Sequence, residues 1–244
     1  MDIIIDRRAL KREAKLSMRS RKPSIFGIML VFLIIQLVLQ LLTEKLQFPG
    51  LSFAEIAAAY GDDAAFLRLL NIAENRNFVS RLLETLLNLF TIVLSAGFTG
   101  ACLNVSRNAP GGLGDLFDAF GIFFKVIWLN IVESVFIALW SLLLIVPGII
   151  AAYRYSMAMF ILLDDPDKGV MACIRESKTM TMGHKGELFV LDLSFIGWLL
   201  LSVIPFVSIY TIPFMTVAKA NYYKVLSGRY TAPWTEEQPK PENF

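Results

Sequence analysis

The chain has 244 residues, 56% of them hydrophobic, with a formal net charge of +2 and a mean hydropathy of +0.59. So apolar a composition argues against an ordinary soluble domain, and the length leaves no room for a separate soluble enzyme domain beside a membrane domain. The small net charge argues against a nucleic-acid partner, and two cysteines outside any CxxC pair with one histidine argue against a zinc or iron–sulfur centre, which needs a cluster of such ligands.

Residues 1–23 form a basic segment, D-R-R-A-L-K-R-E-A-K-L-S-M-R-S-R from Asp6 onward. Asp6 suits a helix N-cap. Leu10, Ala14 and Met18 recur at helical spacing among arginines and lysines. Such a basic amphipathic helix lies along an anionic membrane surface; the alternative is a solvated segment that only sets orientation. The run 24–42 follows without a single charge. About 20 apolar residues cross ~30 Å of hydrocarbon. The run is too long for a signal-peptide core and no small-x-small cleavage site follows it, so it reads as an uncleaved first span.

Residues 43–80 are moderately polar, and A-E-I-A-A-A-Y and A-A-F-L-R-L-L read as short surface helices divided by Gly61, Asp62 and Asp63. The second span, 82–105, holds Gly97 and Gly100, whose i, i+3 spacing is a weaker packing signal than GxxxG. N-A-P-G-G-L-G-D then makes a turn: no strand precedes it and it lacks the form of a phosphate loop. A third span covers 123–145, Pro147 and Gly148 make a tight turn, and a short fourth span covers 149–163. Asp164, Asp165 and Pro166 resemble a helix start. They introduce a helix over 166–182 with Val170, Cys173, Ile174 and Ser177 on one face and Lys168, Arg175 and Lys178 largely elsewhere. It is too polar to span and suits the interface. The fifth span is 188–204, Pro205 and Pro213 bracket a short turn region, and the sixth span, 206–226, ends near Gly228 as a C-cap. The polar, Pro-rich residues 228–244 read as a disordered tail.

The expected fold class is therefore all-α: a polytopic membrane protein, a bundle of about six transmembrane helices (24–227) with interfacial amphipathic helices. The basic residues orient it. The N-terminal segment alone carries Arg7, Arg8, Lys11, Arg12, Lys15, Arg19, Arg21 and Lys22, whereas the 43–80 loop carries Lys45, Arg68 and Arg76, with Arg81 just beyond. Positive flanks stay inside, which puts both termini in the cytoplasm and the loop outside.

Ionisable residues inside spans are costly and face the bundle interior. Glu133, Arg154 and Asp192 are three such residues and form a candidate intramembrane polar site. Glu133 and Arg154 fall at similar depth, and a long arginine reaches toward the interface, where Asp192 sits. The trio reads either as a packing ion pair or as part of a substrate or proton path. No base stands beside a serine or cysteine, and G-x-S-x-G and H-E-x-x-H are both absent, so no catalytic residue, cofactor or metal ligand is assigned and no enzyme is expected.

R-Y-S-M-A-M-F-I-L-L-D-D-P-D (154–167) and R-E-S-K-T-M-T-M-G-H-K-G-E-L-F-V-L-D-L-S-F-I-G-W (175–198) resemble the bacterial membrane family called domain of unknown function 975 (DUF975). The opening R-R-A-L-K-R-E-A-K, G-D-L-F-D-A-F and I-V-P-G-I-I-A are similar to it as well. The resemblance implies a multi-helix integral membrane protein, typical of Gram-positive bacteria, and no activity. It draws attention to Arg175, Lys178, His184 and Lys185 as candidates for contact with anionic phospholipid headgroups or another cytoplasmic anion, against simple positive-inside anchoring. The expected role is non-enzymatic, organising lipids or a membrane-protein partner at the cell membrane. The rival is a small transporter or permease component.

Overall fold

The computed structural model describes residues 7–20, 25–48, 51, 53–74, 77–110, 112–202 and 205–228. Among these residues every regular element is a helix, so the all-α class holds. Asp6 as a cap and the tail beyond Gly228 lie outside the described residues.

Helix α1 (Arg7–Ser20) buries Leu10, Ala14, Ser17 and Met18. The expectation was that this apolar face lies on a membrane surface. It packs instead on α5 and α13, and the charged residues between the buried positions face outward or toward partners. The spacing that makes a helix amphipathic states only that one face is buried, not what covers it.

Helices α2 (Ile25–Gln47) and α5 (Phe78–Ser106) form an antiparallel pair. Phe32 stacks on Phe98 with centroids 4.8 Å apart, Gln36 donates to Ser95 at 3.4 Å, and Gln47 donates to Glu84 at 2.5 Å. Between them lie α3 (Phe53–Ala59) and α4 (Asp63–Glu74), divided at Gly61 and Asp62 as the sequence suggests. Asp62 accepts from the amides of Ala64 (2.9 Å) and Ala65 (3.3 Å), satisfying two orphan donors of α4. Asn77 does the same for α5 through the Ser80 amide at 2.8 Å.

After the turn at Asn108, whose φ is 53°, come α6 (Asp115–Asp118), a 3-10 turn (Ala119–Ile122) and α7 (Phe123–Leu143). A Cβ on Gly97 would collide with the Leu116 carbonyl, so the missing side chain lets α6 seat on α5. Gly100 meets only Leu163 at 3.9 Å and is not needed for closeness.

Helix α8 (Ile145–Tyr155) returns from α7 after a single extended residue, Leu144. Pro147 and Gly148 therefore lie in the first turn of α8 rather than in a turn of their own. Proline is at home there because that N–H has no helical acceptor, and Gly148 lets the Ser141 backbone come within 2.9 Å of where a Cβ would stand. A break at Ser156 and Met157 leads to α9 (Ala158–Asp164). The helix expected over 166–182 is α10 (Val170–Met180), which starts later: Asp164 ends α9 and Gly169 is the N-cap. Asp164 is drawn into a tertiary ion pair with Arg107, Asp165 faces Lys168 locally at 3.6 Å, and no side chain caps α10.

The expected fifth span divides into α11 (Lys185–Leu193) and α12 (Ile196–Leu201), broken at Ser194 and Phe195. Helix α13 (Pro205–Ser227) runs straight through the expected turn region, with Pro213 in its interior. Gly228, at φ 60°, ends it as a C-cap.

Among the described residues four helical segments are long and apolar enough to cross a membrane: Ile25–Gln47, Phe78–Ser106, Asp115–Leu143 and Ile145–Asp164. Helix α13 has the length but is less apolar, and its path differs as well. Tyr210 stacks on Phe26 at the start of α2 (5.9 Å), and Lys224 reaches the carbonyl of Ser106, the last residue of α5, at 2.6 Å. Phe26 and Ser106 lie at the same end of the α2–α5 pair. The helix between Tyr210 and Lys224, about 21 Å at 1.5 Å per residue, thus crosses that end obliquely. We call this the basic end, because α1 lies there as well.

Candidate functional site

The polar groups of the basic end converge on one stretch of α13, K-A-N-Y-Y-K, from Lys219 to Lys224. Residues on a helix turn by about 100° each, so consecutive side chains leave in different directions. Lys219 pairs with Asp192 of α11 at 3.0 Å. Asn221 donates to the Leu10 carbonyl of α1 at 3.4 Å. The Tyr222 hydroxyl donates to Glu187 of α11 at 3.0 Å and lies 3.3 Å from the His184 carbonyl. The Tyr223 hydroxyl donates to Asp164 of α9 at 2.7 Å, while its ring stacks on Phe160 at 5.7 Å. Lys224 lies 3.3 Å from Glu13 of α1 besides its bond to the Ser106 carbonyl. Residues 221–225 are all buried.

The electrostatics follow from burial. Asp164 holds both Tyr223 and Arg107, whose guanidinium lies 2.6 Å away, so one carboxylate ties the ends of α5, α9 and α13 together. Lys224 sits at the C-terminus of α5, where the unsatisfied carbonyls favour a cation. Burial pushes the Glu13 carboxyl above its ordinary range, against the pull of Lys224. Burial, and then the charge of Arg7, hold the Lys11 ammonium below its usual range. Lys11 donates to the Ser194 carbonyl at 3.2 Å and stands 4.2 Å over the Phe195 ring, so it covers the break between α11 and α12.

The R-E-S-K-T-M-T segment of α10 covers a second break. Where α8 gives way to α9, helical bonding lapses around the Arg154 carbonyl and the Met157 amide. Ser177 donates to the Arg154 carbonyl at 2.9 Å and accepts from the Met157 amide at 3.2 Å, and Thr181 donates to the same carbonyl at 3.2 Å. Both hydroxyls are fully buried. A broken helix among apolar neighbours needs such replacement partners. Glu176 turns the other way, to Lys168 at 2.6 Å.

The trio Glu133, Arg154 and Asp192 does not come together as an ion-paired site among the described residues. Asp192 is held by Lys219 and by the Tyr153 hydroxyl at 3.2 Å. Glu133 Oε1 and Arg154 Nε are each buried without a hydrogen-bond partner. Lys219 thus takes the place expected for Arg154. Of the four anion candidates, Arg175 and Lys178 are exposed on α10 and Lys185 is half-buried at the start of α11. Among the described residues none of these three side chains has a carboxylate partner. His184 differs: its Nδ1 lies 3.1 Å from Glu187 Oε2.

Sequence reasoning took Asp164 only as part of a helix start and did not single out Arg107, Lys219, Tyr222, Tyr223 and Lys224. One signal was present. K-A-N-Y-Y-K puts two lysines and an asparagine into an otherwise apolar helix, and ionisable groups in such a helix turn inward to partners of the protein.

Residues 142–230 match the model of a family described as "Protein of unknown function (DUF975)". No curated protein and no solved structure matches the chain. The matched stretch contains Arg154, Asp192, the α10 segment and the whole K-A-N-Y-Y-K stretch, but neither Glu133 nor α1 to α6. It is in this stretch, and on these residues, that the chain resembles the DUF975 family, whose model carries no stated function.

Proposed function

We propose that the chain is a non-enzymatic protein of the bacterial cell membrane, with both termini and the basic end in the cytoplasm, which gathers anionic phospholipids at its inner face. The observation that carries this reading is how the cations of the basic end divide. Arg107, Lys168, Lys219 and Lys224 are taken up by carboxylates of the protein itself. Arg175, Lys178 and Lys185 have no such partner among the described residues and stand where the positive flanks meet the headgroup layer. A cation near an anionic surface contributes about 1 kcal/mol.

The test is native mass spectrometry of the full chain carried from membranes in mild detergent, with competition between phosphatidylglycerol and phosphatidylcholine. Replacing Arg175, Lys178 and Lys185 together by Gln lowers the preference for phosphatidylglycerol at least tenfold. An unchanged preference overturns the proposal.

A second reading rests on Glu133 and Arg154. A buried carboxylate oxygen and a buried guanidinium nitrogen without partners are costly, and a polar solute passing between the helices would supply what they lack. Glu133→Gln and Arg154→Gln variants that accumulate normally but lose uptake in proteoliposomes favour a transporter component. Variants that fail to accumulate favour a packing role.

A further inference from the structure

The corner where α1, α2 and α13 meet holds a cavity of about 190 Å³ lined by Lys15, Met18, Arg19, Phe26 and Tyr210. Its two sides differ in chemistry. Lys15 and Arg19, four residues apart on α1, lie on one helix face. Both are exposed, and neither has a carboxylate partner among the described residues. The nearest acid on α1, Glu13, is turned away toward Lys224 at 3.3 Å. Met18, Phe26 and Tyr210 form the other side, and Met18 is itself buried. The stack of Tyr210 on Phe26 makes that wall aromatic. Phe26 places the cavity beside the described start of α2.

We infer that this corner is a binding site for the phosphate and glycerol of one anionic phospholipid. Lys15 and Arg19 take the phosphate, and Met18, Phe26 and Tyr210 take the first carbons of the glycerol and chains. Three points fix the class of ligand. Two unpaired cations on one face select an anion, and an arginine adds planar paired donors suited to phosphate. The apolar wall selects an anion with carbon attached to it. The position at the start of the first apolar helix puts the carbon side of the cavity next to hydrocarbon and the cation side next to water, the arrangement of a phospholipid and not of a free ion. The site shares no residue with Arg175, Lys178 and Lys185 and rests only on the membrane reading of the chain.

The experiment uses the full chain with Arg175, Lys178 and Lys185 already replaced by Gln, so that failure of the α10 contacts and failure of this site are read separately. In that background, Lys15→Gln with Arg19→Gln lowers the retention of phosphatidylglycerol over phosphatidylcholine about thirty-fold in native mass spectrometry, ~1 kcal/mol for each cation. The charge-keeping exchange Lys15→Arg with Arg19→Lys leaves it within threefold. A Phe26→Trp variant reports the place: brominated phosphatidylglycerol quenches its added fluorescence more than brominated phosphatidylcholine, and the excess disappears with the two Gln replacements. Equal quenching by both lipids overturns the site. Displacement of the lipid by millimolar glycerol phosphate overturns the assignment to a membrane lipid in favour of a soluble phosphate ester.

Discussion

At the scale of single residues, Tyr223 shows how one side chain serves two solvents. Its ring lies against Phe160 and its hydroxyl donates to Asp164, which also holds Arg107. A hydrogen bond to a charged group contributes about 1.5–3 kcal/mol. Tyr223→Phe keeps the stack and loses only that bond. The expected result is a lower melting temperature in detergent, read by a thiol-reactive dye at Cys102 and Cys173, both buried and unbridged. Combining it with Arg107→Gln costs less than the two separate effects added, because both act through one carboxylate. Ser177 and Thr181 illustrate the same scale. The sequence reads Ser177 as part of an apolar interfacial face; the structure gives it a backbone gap to fill, which periodicity cannot register.

At the scale of elements, the two glycines of α5 separate a close approach from a coincidence. Both look alike in the sequence, three residues apart. Only Gly97 faces backbone, the Leu116 carbonyl, which cannot rotate away. Gly97→Ala therefore lifts α6 from α5 and costs ~1–3 kcal/mol as overpacking does. Gly100→Ala meets one flexible Leu163 methyl at ordinary contact distance and gains helix propensity, up to ~1 kcal/mol. Melting of the two variants side by side decides it: equal losses would mean that the contact at Gly97 is not close. Helix breaks teach a related lesson. Asp164 and Asp165 carry a good local start signal, yet α10 begins at Val170: Asp164 is the last residue of α9, its carboxylate is held by Arg107 and Tyr223, and Gly169 takes the cap position.

For the whole molecule, the decisive quantity is how many segments cross. Among the described residues four have the length and composition to do so, against about six expected, because α11 and α12 are each short and α13, though 23 residues long, is too polar along its K-A-N-Y-Y-K stretch. Four and six are both even, so the proposed placement of the termini is the same for either. Single cysteines introduced at Asp62 and at Lys178, in a chain with Cys102 and Cys173 changed to Ser, are expected to react with an impermeant maleimide from opposite sides of sealed vesicles. Labelling of both from one side would sink the topology. A further cysteine at Ser202, at the far end of α12, separates the counts: reaction there from the Asp62 side means that α11 and α12 together cross.

The sequence by itself determined what rests on near neighbours and on solvent: helical periodicity, the uncharged runs that hydrocarbon accepts, the break at Gly61, the glycine C-cap at Gly228 and the uneven distribution of Lys and Arg. These are properties of a few consecutive residues in a stated medium. Only the tertiary structure decided the partners. Asn221 meets Leu10 across 211 positions, and Lys219 rather than Arg154 neutralises Asp192. Whether the apolar face of α1 met lipid or protein was settled in the same way, by the buried surface that α5 and α13 offer it. Burying a charge is costly unless it is paired, and which pairings meet that condition depends on the packing of all the helices at once.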